Sequence, residues 1–213
     1  MESLTRHTDY GNEPFDETSA LANPFDQFAL WLSQAEAEDI YEPNAMVLST
    51  IDPDGQASSR TVLLKDLDGS HFVFVTNYSS RKGHALEANP SVSLLFPWYS
   101  LKRQVIVYGS ATPAPSEVSD ALWNRRPLGA QLASAASKQS QVIASRAELD
   151  AQMAALEKEF EGVENIPRPE NWGAFEVTPH AIEFWQGRSM RFHDRIRYRK
   201  GQDGNWLIER LQP

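Results

Sequence analysis

Three period-two apolar runs joined by very short turns constrain this chain most. Ala45-Met-Val-Leu-Ser-Thr-Ile51, residues 56–65 and His71-Phe-Val-Phe-Val-Thr76 read as strands. Between them stand Asp52-Pro-Asp-Gly55, where Pro fixes φ and Gly supplies a positive one, and Asp66-Leu-Asp-Gly69. Strands joined by so few residues pair antiparallel, which predicts a meander. Residues 92–96 and 104–111 add two strands. After a helical region, residues 172–177, 182–186, 190–199 and 206–210 return to strand, the last two joined at Gly201-Gln-Asp-Gly204.

Helical signals frame these strands. Asn23-Pro24 places an N-cap and a first-turn proline before Phe25, Phe28, Leu32 and Ala35, with Trp31 beside them, and predicts a helix ending near Ile40. Residues 80–88 read as a short helix capped by Ser79 or Ser80. Residues 116–124 and 128–136 read as two more, and Ser145 with Glu148 forms a capping box opening a helix to about Phe160. The fold class is therefore mostly β with inserted helices: an antiparallel barrel whose early and late strands share one sheet, over a single domain at 23–213. Residues 1–22 are polar and aperiodic and read as a mobile arm, with Arg6, His7 and Tyr10 as its ligand-binding candidates.

Charge decides how the basic residues are read. The formal net charge is −9, so the surface does not attract nucleic acid, and any anion site must be a local concentration of Arg and Lys. The chain has no cysteine, which excludes disulfides, thiolate metal sites and a Cys nucleophile. No run has the length of a membrane span and the first residues lack the apolar core of a signal peptide, so the expected location is cytoplasmic.

The densest chemistry lies at Trp185-Gln-Gly-Arg-Ser-Met-Arg-Phe-His-Asp-Arg195. Guanidinium both stacks on rings and forks onto phosphate, and imidazole titrates near neutrality. Read as a strand, the segment puts Arg191, His193 and Arg195 on one face; the spacing also suits an edge strand with solvated charges. Three further clusters stand out. Arg60-Thr-Val-Leu-Leu-Lys65 carries two cations, or is a strand with solvated ends. Thr76-Asn-Tyr-Ser-Ser-Arg-Lys82 runs from a strand end into a helix start, where Ser79, Ser80 and the first N–H groups offer an anion site, or simple capping. Ser137-Lys-Gln-Ser140 is a polar block or a loop. His84 and His180 read as structural. No nucleotide-binding glycine signature, metal-ligand spacing or nucleophile elbow occurs. Together the clusters predict a binder of phosphorylated aromatic small molecules.

Taken in order, Arg60-Thr-Val-Leu-Leu-Lys65, Thr76-Asn-Tyr-Ser-Ser-Arg-Lys82, Leu94-Leu-Phe-Pro-Trp98, Arg103-Gln104, Arg126-Pro127, Lys138-Gln-Ser140, Ile182-Glu-Phe-Trp-Gln-Gly187, Arg191-Phe-His-Asp-Arg195 and Arg210-Leu-Gln-Pro213 closely resemble the pyridoxamine/pyridoxine 5′-phosphate oxidase family over residues 24–213. The resemblance implies an FMN-binding split β-barrel, a homodimer with composite active sites, and FMN contacts from Arg60, Thr61, Val62, Leu63, Leu64, Lys65, Val75, Thr76, Ser80, Arg81, Lys82, Gln104, Gln139, Ser140, Trp185 and Arg195. Lys65 and Arg126 are implied to hold the substrate phosphate, Arg191 and His193 to lie against the substrate ring as the catalytic pair, and Tyr10 to contact substrate from the arm. The implied reaction takes a hydride from the substrate C4′ to the flavin, with dioxygen as acceptor and hydrogen peroxide as product, and gives pyridoxal 5′-phosphate. The chain departs from the family at Leu122 and Ala130, where a Tyr and a Ser commonly join the substrate phosphate, with Gly129 and Gln131 as candidate replacement donors, at Arg6, one residue early for the arm's Arg-x-x-Tyr contact, and at Val75, where a Tyr is common. The flavin oxidases of phenazine biosynthesis, which also end in Leu-Gln-Pro, are the alternative, and a non-catalytic flavin, haem or pyridoxal phosphate binder is another.

Overall fold

The computed structural model describes residues 4–5 and 8–213; Arg6 and His7 lie outside the described residues. The first helix, α1 (Pro24–Ala37), begins where the sequence places it. Asn23 Oδ1 accepts from the Phe25 N–H at 2.8 Å, and Pro24 spends no donor at the first position. The strands β1 (Ala45–Ile51), β2 (Ala57–Leu67) and β3 (Phe72–Asn77) form the expected antiparallel meander. There follow α2 (Arg81–Ala88), β4 (Ser91–Trp98), β5 (Arg103–Pro113), α3 (Ser116–Asn124), α4 (Leu128–Ala136), α5 (Arg146–Glu159), β6 (Trp172–Gln186), β7 (Asp194–Lys200) and β8 (Trp206–Arg210).

The strands form one sheet in the order β3-β2-β1-β4-β5-β6-β7-β8, and a further β3–β6 pairing closes the first part into a barrel. The two ends of β6 have different partners. Residues 172–177 pair with β3, and residues 181–186 pair with β7. The barrel is filled from one face of each strand. The burial of β1 alternates strictly, with Met46 and Leu48 inside, and β4 likewise turns Val92, Leu94, Phe96 and Trp98 inward. The face of α1 closes this core: Phe28 is fully buried, with ring centroids 5.0 Å from Phe72 and 4.7 Å from Phe96. A second cluster sits beneath the inserted helices. Trp123 packs edge-on to Trp172 at 4.8 Å, and its indole N–H donates to the Ile166 carbonyl at 2.6 Å. That cluster fixes α3 and α4 over the start of β6. No helix among the described residues is long and apolar enough to cross a membrane.

The structure departs from the sequence expectations in three places. Residues 172–186 form one strand, not two: Pro179, which has no N–H to give a ladder, sits at a register shift, where Tyr108 faces Ala181 and Gly109 faces Pro179. Residues 190–199 are not one strand, so Arg191, His193 and Arg195 do not share a strand face. Ser189–Arg191 is a 3₁₀ turn with Met190 and Arg191 at φ 56° and 60°, His193 lies in the link, and Arg195 alone of the three is in β7. The arm region also contains a core residue. Phe15 is buried, 4.9 Å by ring centroid from Trp31, and its N–H donates to Asp194 Oδ2 at 3.1 Å.

Candidate functional site

A cavity of about 830 Å³ opens between β2, the end of β3, the start of α2, and α4 with the loop after it. Arg60, Lys65, Arg81, Lys82 and Arg126 line it, and no carboxylate does among the described residues. Five cations facing one cavity in a chain of net charge −9 make a local anion site. The backbone brings them together: closure of β3 on β6 sets Trp172 beside Asn77, and the second core presses α4 against that end.

Arg60, Lys82 and Arg126 are held by uncharged groups, which leaves their charge available, whereas Arg81 pairs directly with a carboxylate. Lys82 Nζ donates to Thr76 Oγ1 at 3.0 Å and to Gln139 Oε1 at 2.9 Å. Burial, and next the Arg60 charge, push its ammonium down to about 8. Asp52, in the β1–β2 turn, is the anchor behind the cavity. It takes both Nε and Nη2 of Arg81 on one oxygen, at 2.7 and 2.5 Å, and the Ser58 hydroxyl on the other at 2.9 Å. Ser58 Oγ accepts from Arg60 Nη2 at 2.6 Å, so one buried carboxylate holds two neighbouring guanidiniums in place. The Arg81 bonds keep the Asp52 carboxyl below the usual carboxylate range.

Among the described residues, Arg126 is the one of the five with a buried nitrogen that has no partner. Its guanidinium lies 5.2 Å over the Trp172 ring and 6.0 Å from that of Trp123, Nη2 donates to Ala130 O and Ser134 Oγ, and its buried Nε has no partner. A buried orphan donor on a cation marks a place for an acceptor. Burial lowers its pKa.

The Trp185–Arg195 stretch lies elsewhere in the chain. The His193 ring is 4.6 Å from Trp185 and 5.4 Å from Tyr10, and Tyr10 stands edge-on to Trp185 at 5.8 Å. Gly187 makes room for Tyr10, since a Cβ there would lie 2.7 Å from the Tyr10 ring. The Arg188 N–H donates to His193 Nδ1 at 3.0 Å, which fixes the neutral ring with its proton on Nε2. Burial and then the Arg191 charge lower the His193 pKa in the same direction. Ser189 pins the loop through its N–H, which donates to Gly11 O at 2.7 Å, below the consecutive left-handed residues Met190 and Arg191. Such backbone is concentrated at functional positions. Arg195 is held by Glu183 at 2.8 Å and by the Gln212 carbonyl at 3.0 Å.

Within one chain, then, the expected site residues fall into two groups. Arg60, Thr61, Val62, Leu63, Lys65, Val75, Thr76, Arg81, Lys82, Arg126, Ala130, Gln139 and Ser140 line the cavity. Gln104 pairs with Trp185, and with Tyr10, Arg191, His193 and Arg195 it belongs to the other group, none of which lines the cavity. Trp172 and Trp185 stand near opposite ends of a strand of 15 residues, which spans roughly 45 Å of contour. Three expected residues face elsewhere. Ser80 is buried and caps α2 through the Gly83 N–H, Leu64 lies in the barrel core, and Leu122 in the second core. Asp52, Ser58, Ser134 and Trp172 were missed. Asp52 carried only a turn signal, and the others lie in no motif.

Comparison with known proteins identifies the family. The family profile described as pyridoxamine 5′-phosphate oxidase matches residues 32–186, and the one described as pyridoxine 5′-phosphate oxidase C-terminal dimerisation region matches residues 172–213. A pyridoxine/pyridoxamine 5′-phosphate oxidase of Streptomyces avermitilis is 51% identical over 208 residues, 96% of this chain and 93% of that protein. Its namesake from Bordetella petrii is 49% identical over 197 residues, 92% of each chain. Among solved structures, PhzG from Burkholderia lata in complex with tetrahydrophenazine-1-carboxylic acid is similar at TM-score 0.89 and 32% identity, over 96% of this chain and 100% of that one. The split-barrel fold, the cation-lined cavity and the matches across nearly the whole length place this chain in the pyridoxamine 5′-phosphate oxidase family.

Proposed function

We propose that the protein is an FMN-dependent oxidase that converts pyridoxamine or pyridoxine 5′-phosphate to pyridoxal 5′-phosphate with dioxygen as acceptor, and that it works as a homodimer. The observation that carries this reading is the cavity lined by five cations and no carboxylate, with a buried unpartnered donor on Arg126. Its volume, about 830 Å³, is in the range of small-molecule sites. Its donors suit phosphate groups, so the residues present fit a phosphorylated flavin. Lys82, Arg81, Arg60, Thr76, Gln139 and Ser140 would hold that cofactor, and Lys65 and Arg126 the substrate phosphate. When bound, the flavin supplies the hydride acceptor and the link to oxygen.

The protein's own part is positioning. Arg191 and His193 would hold the substrate ring, and the neutral His193, with its proton on Nε2, acts as a donor and not as a base at that atom. The two groups of residues lie far apart along one chain, and residues 172–213 match a dimerisation region; both support a site completed by a second copy. Gln104, Trp185 and Arg195 would then reach the cofactor from the other chain, and Tyr10 would approach with His193.

Lys82 gives the cofactor site a pH signature. Its folded pKa of about 8 lies below the ordinary 10.5. The unfolded chain therefore binds this proton more tightly, and the contribution of Lys82 to stability rises with pH from about 8 to about 10.5. Anion binding runs the other way, because phosphate favours the protonated amine. FMN affinity is expected to fall above pH 8 by up to about tenfold per pH unit, and Lys82→Met to flatten that dependence. Fluorescence titration from pH 7 to 9.5 checks it; a flat wild-type profile contradicts the placement.

Anaerobic mixing of the FMN-loaded protein with pyridoxamine 5′-phosphate tests the function. Bleaching of the flavin absorbance, and peroxide when air is admitted, is the expected result. The similarity to PhzG favours a second reading, a phenazine-type oxidase. Bleaching by a tricyclic carboxylate and not by pyridoxamine 5′-phosphate would decide for it.

A further inference from the structure

The inner face of α4 presents Ala130, Ala133 and Ser134 to the cavity, followed by Ser137 just past the helix end. These positions follow helical spacing, and all are small, so a ligand can approach the helix closely. Ser134 carries the only hydroxyl within the helix on that face. Its Oγ accepts from Arg126 Nη2 at 2.9 Å, the single side-chain hydrogen bond of Ser134 among the described residues. An oxygen that accepts from guanidinium still has its own proton to donate. Beside it, Arg126 Nε is buried without a partner.

The neighbouring candidates for this role are committed. Gln131 is buried, its Nε2 donates to the Trp123 carbonyl at 3.1 Å and to Asn165 Oδ1 at 3.0 Å, and its Oε1 accepts from the Ile166 N–H at 3.1 Å. Leu122 is a core residue, and Gly129 does not line the cavity.

We propose that the Ser134 hydroxyl is a direct ligand of the substrate phosphate, working with Arg126 and Lys65 and setting the preference for phosphorylated substrates. This rests on the reading above that the α4 end of the cavity takes that phosphate. Arg126 supplies the charge and the orphan Nε donor. Ser134 orients Nη2 and adds one donor beside it.

The test is binding to the FMN-loaded protein by calorimetry, with pyridoxal 5′-phosphate and with pyridoxal, which lacks the phosphate. Ser134→Ala keeps a good helix former at the position. A lost hydrogen bond to a charged group is expected to weaken pyridoxal 5′-phosphate binding by about tenfold to a hundredfold, with pyridoxal binding and FMN content unchanged, and Ser134→Thr is expected to restore most of it. Unchanged affinity in Ser134→Ala, or equal weakening for both ligands, overturns the assignment alone. A wild-type protein that does not bind pyridoxal 5′-phosphate overturns the substrate reading and this assignment together.

Discussion

Replacing Arg191 with Ala is expected to lower kcat/KM for pyridoxamine 5′-phosphate by about a hundredfold or more, with the FMN content of the purified protein unchanged. The size follows from positioning: loss of a group that orients the reacting partner costs on the order of 10²-fold. The selectivity follows from placement. Arg191 is exposed on the turn Ser189–Arg191 and does not line the cavity, so its removal leaves Arg60, Lys65, Arg81, Lys82 and Arg126 as they are. The backbone there is already left-handed at φ 60°, and Ala meets the same restriction as Arg, so the variant isolates the side chain. His193 should respond as well, because the Arg191 charge is one cause of its lowered pKa and its removal raises that value. Turnover measured beside flavin absorbance per chain checks the prediction; parallel loss of both would place Arg191 at the cofactor.

The parts of this fold that were legible in the sequence are those set by local chemistry. Asn23-Pro24 started a helix as capping requires, and Gly201 to Gly204 turned the last hairpin, with Gly204 at φ 82°. The meander followed from its turns. What could not be read was set by distant contacts or by residues without a conformational signal. Met190 and Arg191 take left-handed backbone although neither type advertises a turn, so a regular Arg-x-His-x-Arg spacing was misread as a strand. Pro179 resembled a strand break, but a register shift against β5 absorbs it. Phe15 was an isolated apolar aromatic in a polar stretch, and its packing on Trp31 and Phe184 makes it a core residue.

The candidate site divides in the same way. Four of its cations, Arg60, Lys65, Arg81 and Lys82, were visible in short clusters, because a basic group in an acidic chain is conspicuous, and Arg126 stood out only through the family resemblance. Their convergence was not, since segments near residues 60, 80, 126 and 140 meet through barrel closure and the Trp123–Trp172 cluster. Asp52 shows the limit: its sequence context is a turn, while its carboxylate holds Arg81 directly and Arg60 through Ser58. Ser134 was hidden for a simpler reason, as a serine among alanines in an ordinary helix.

In the proposed dimer each active site takes its cation cavity from one chain and its Trp185–His193 loop from the other. Subunit complementation tests this arrangement. Arg126→Ala disables the cavity and Arg191→Ala disables the loop, and each variant alone is expected to be nearly inactive. Coexpressed in equal amounts, they form mixed dimers in which one site is wholly native and the other carries both defects. Random pairing makes half of the dimers mixed, so about a quarter of wild-type activity is expected to return. If the cavity and loop of one chain formed the site, every site would keep a defect, and activity in the mixture would stay at the level of the two variants.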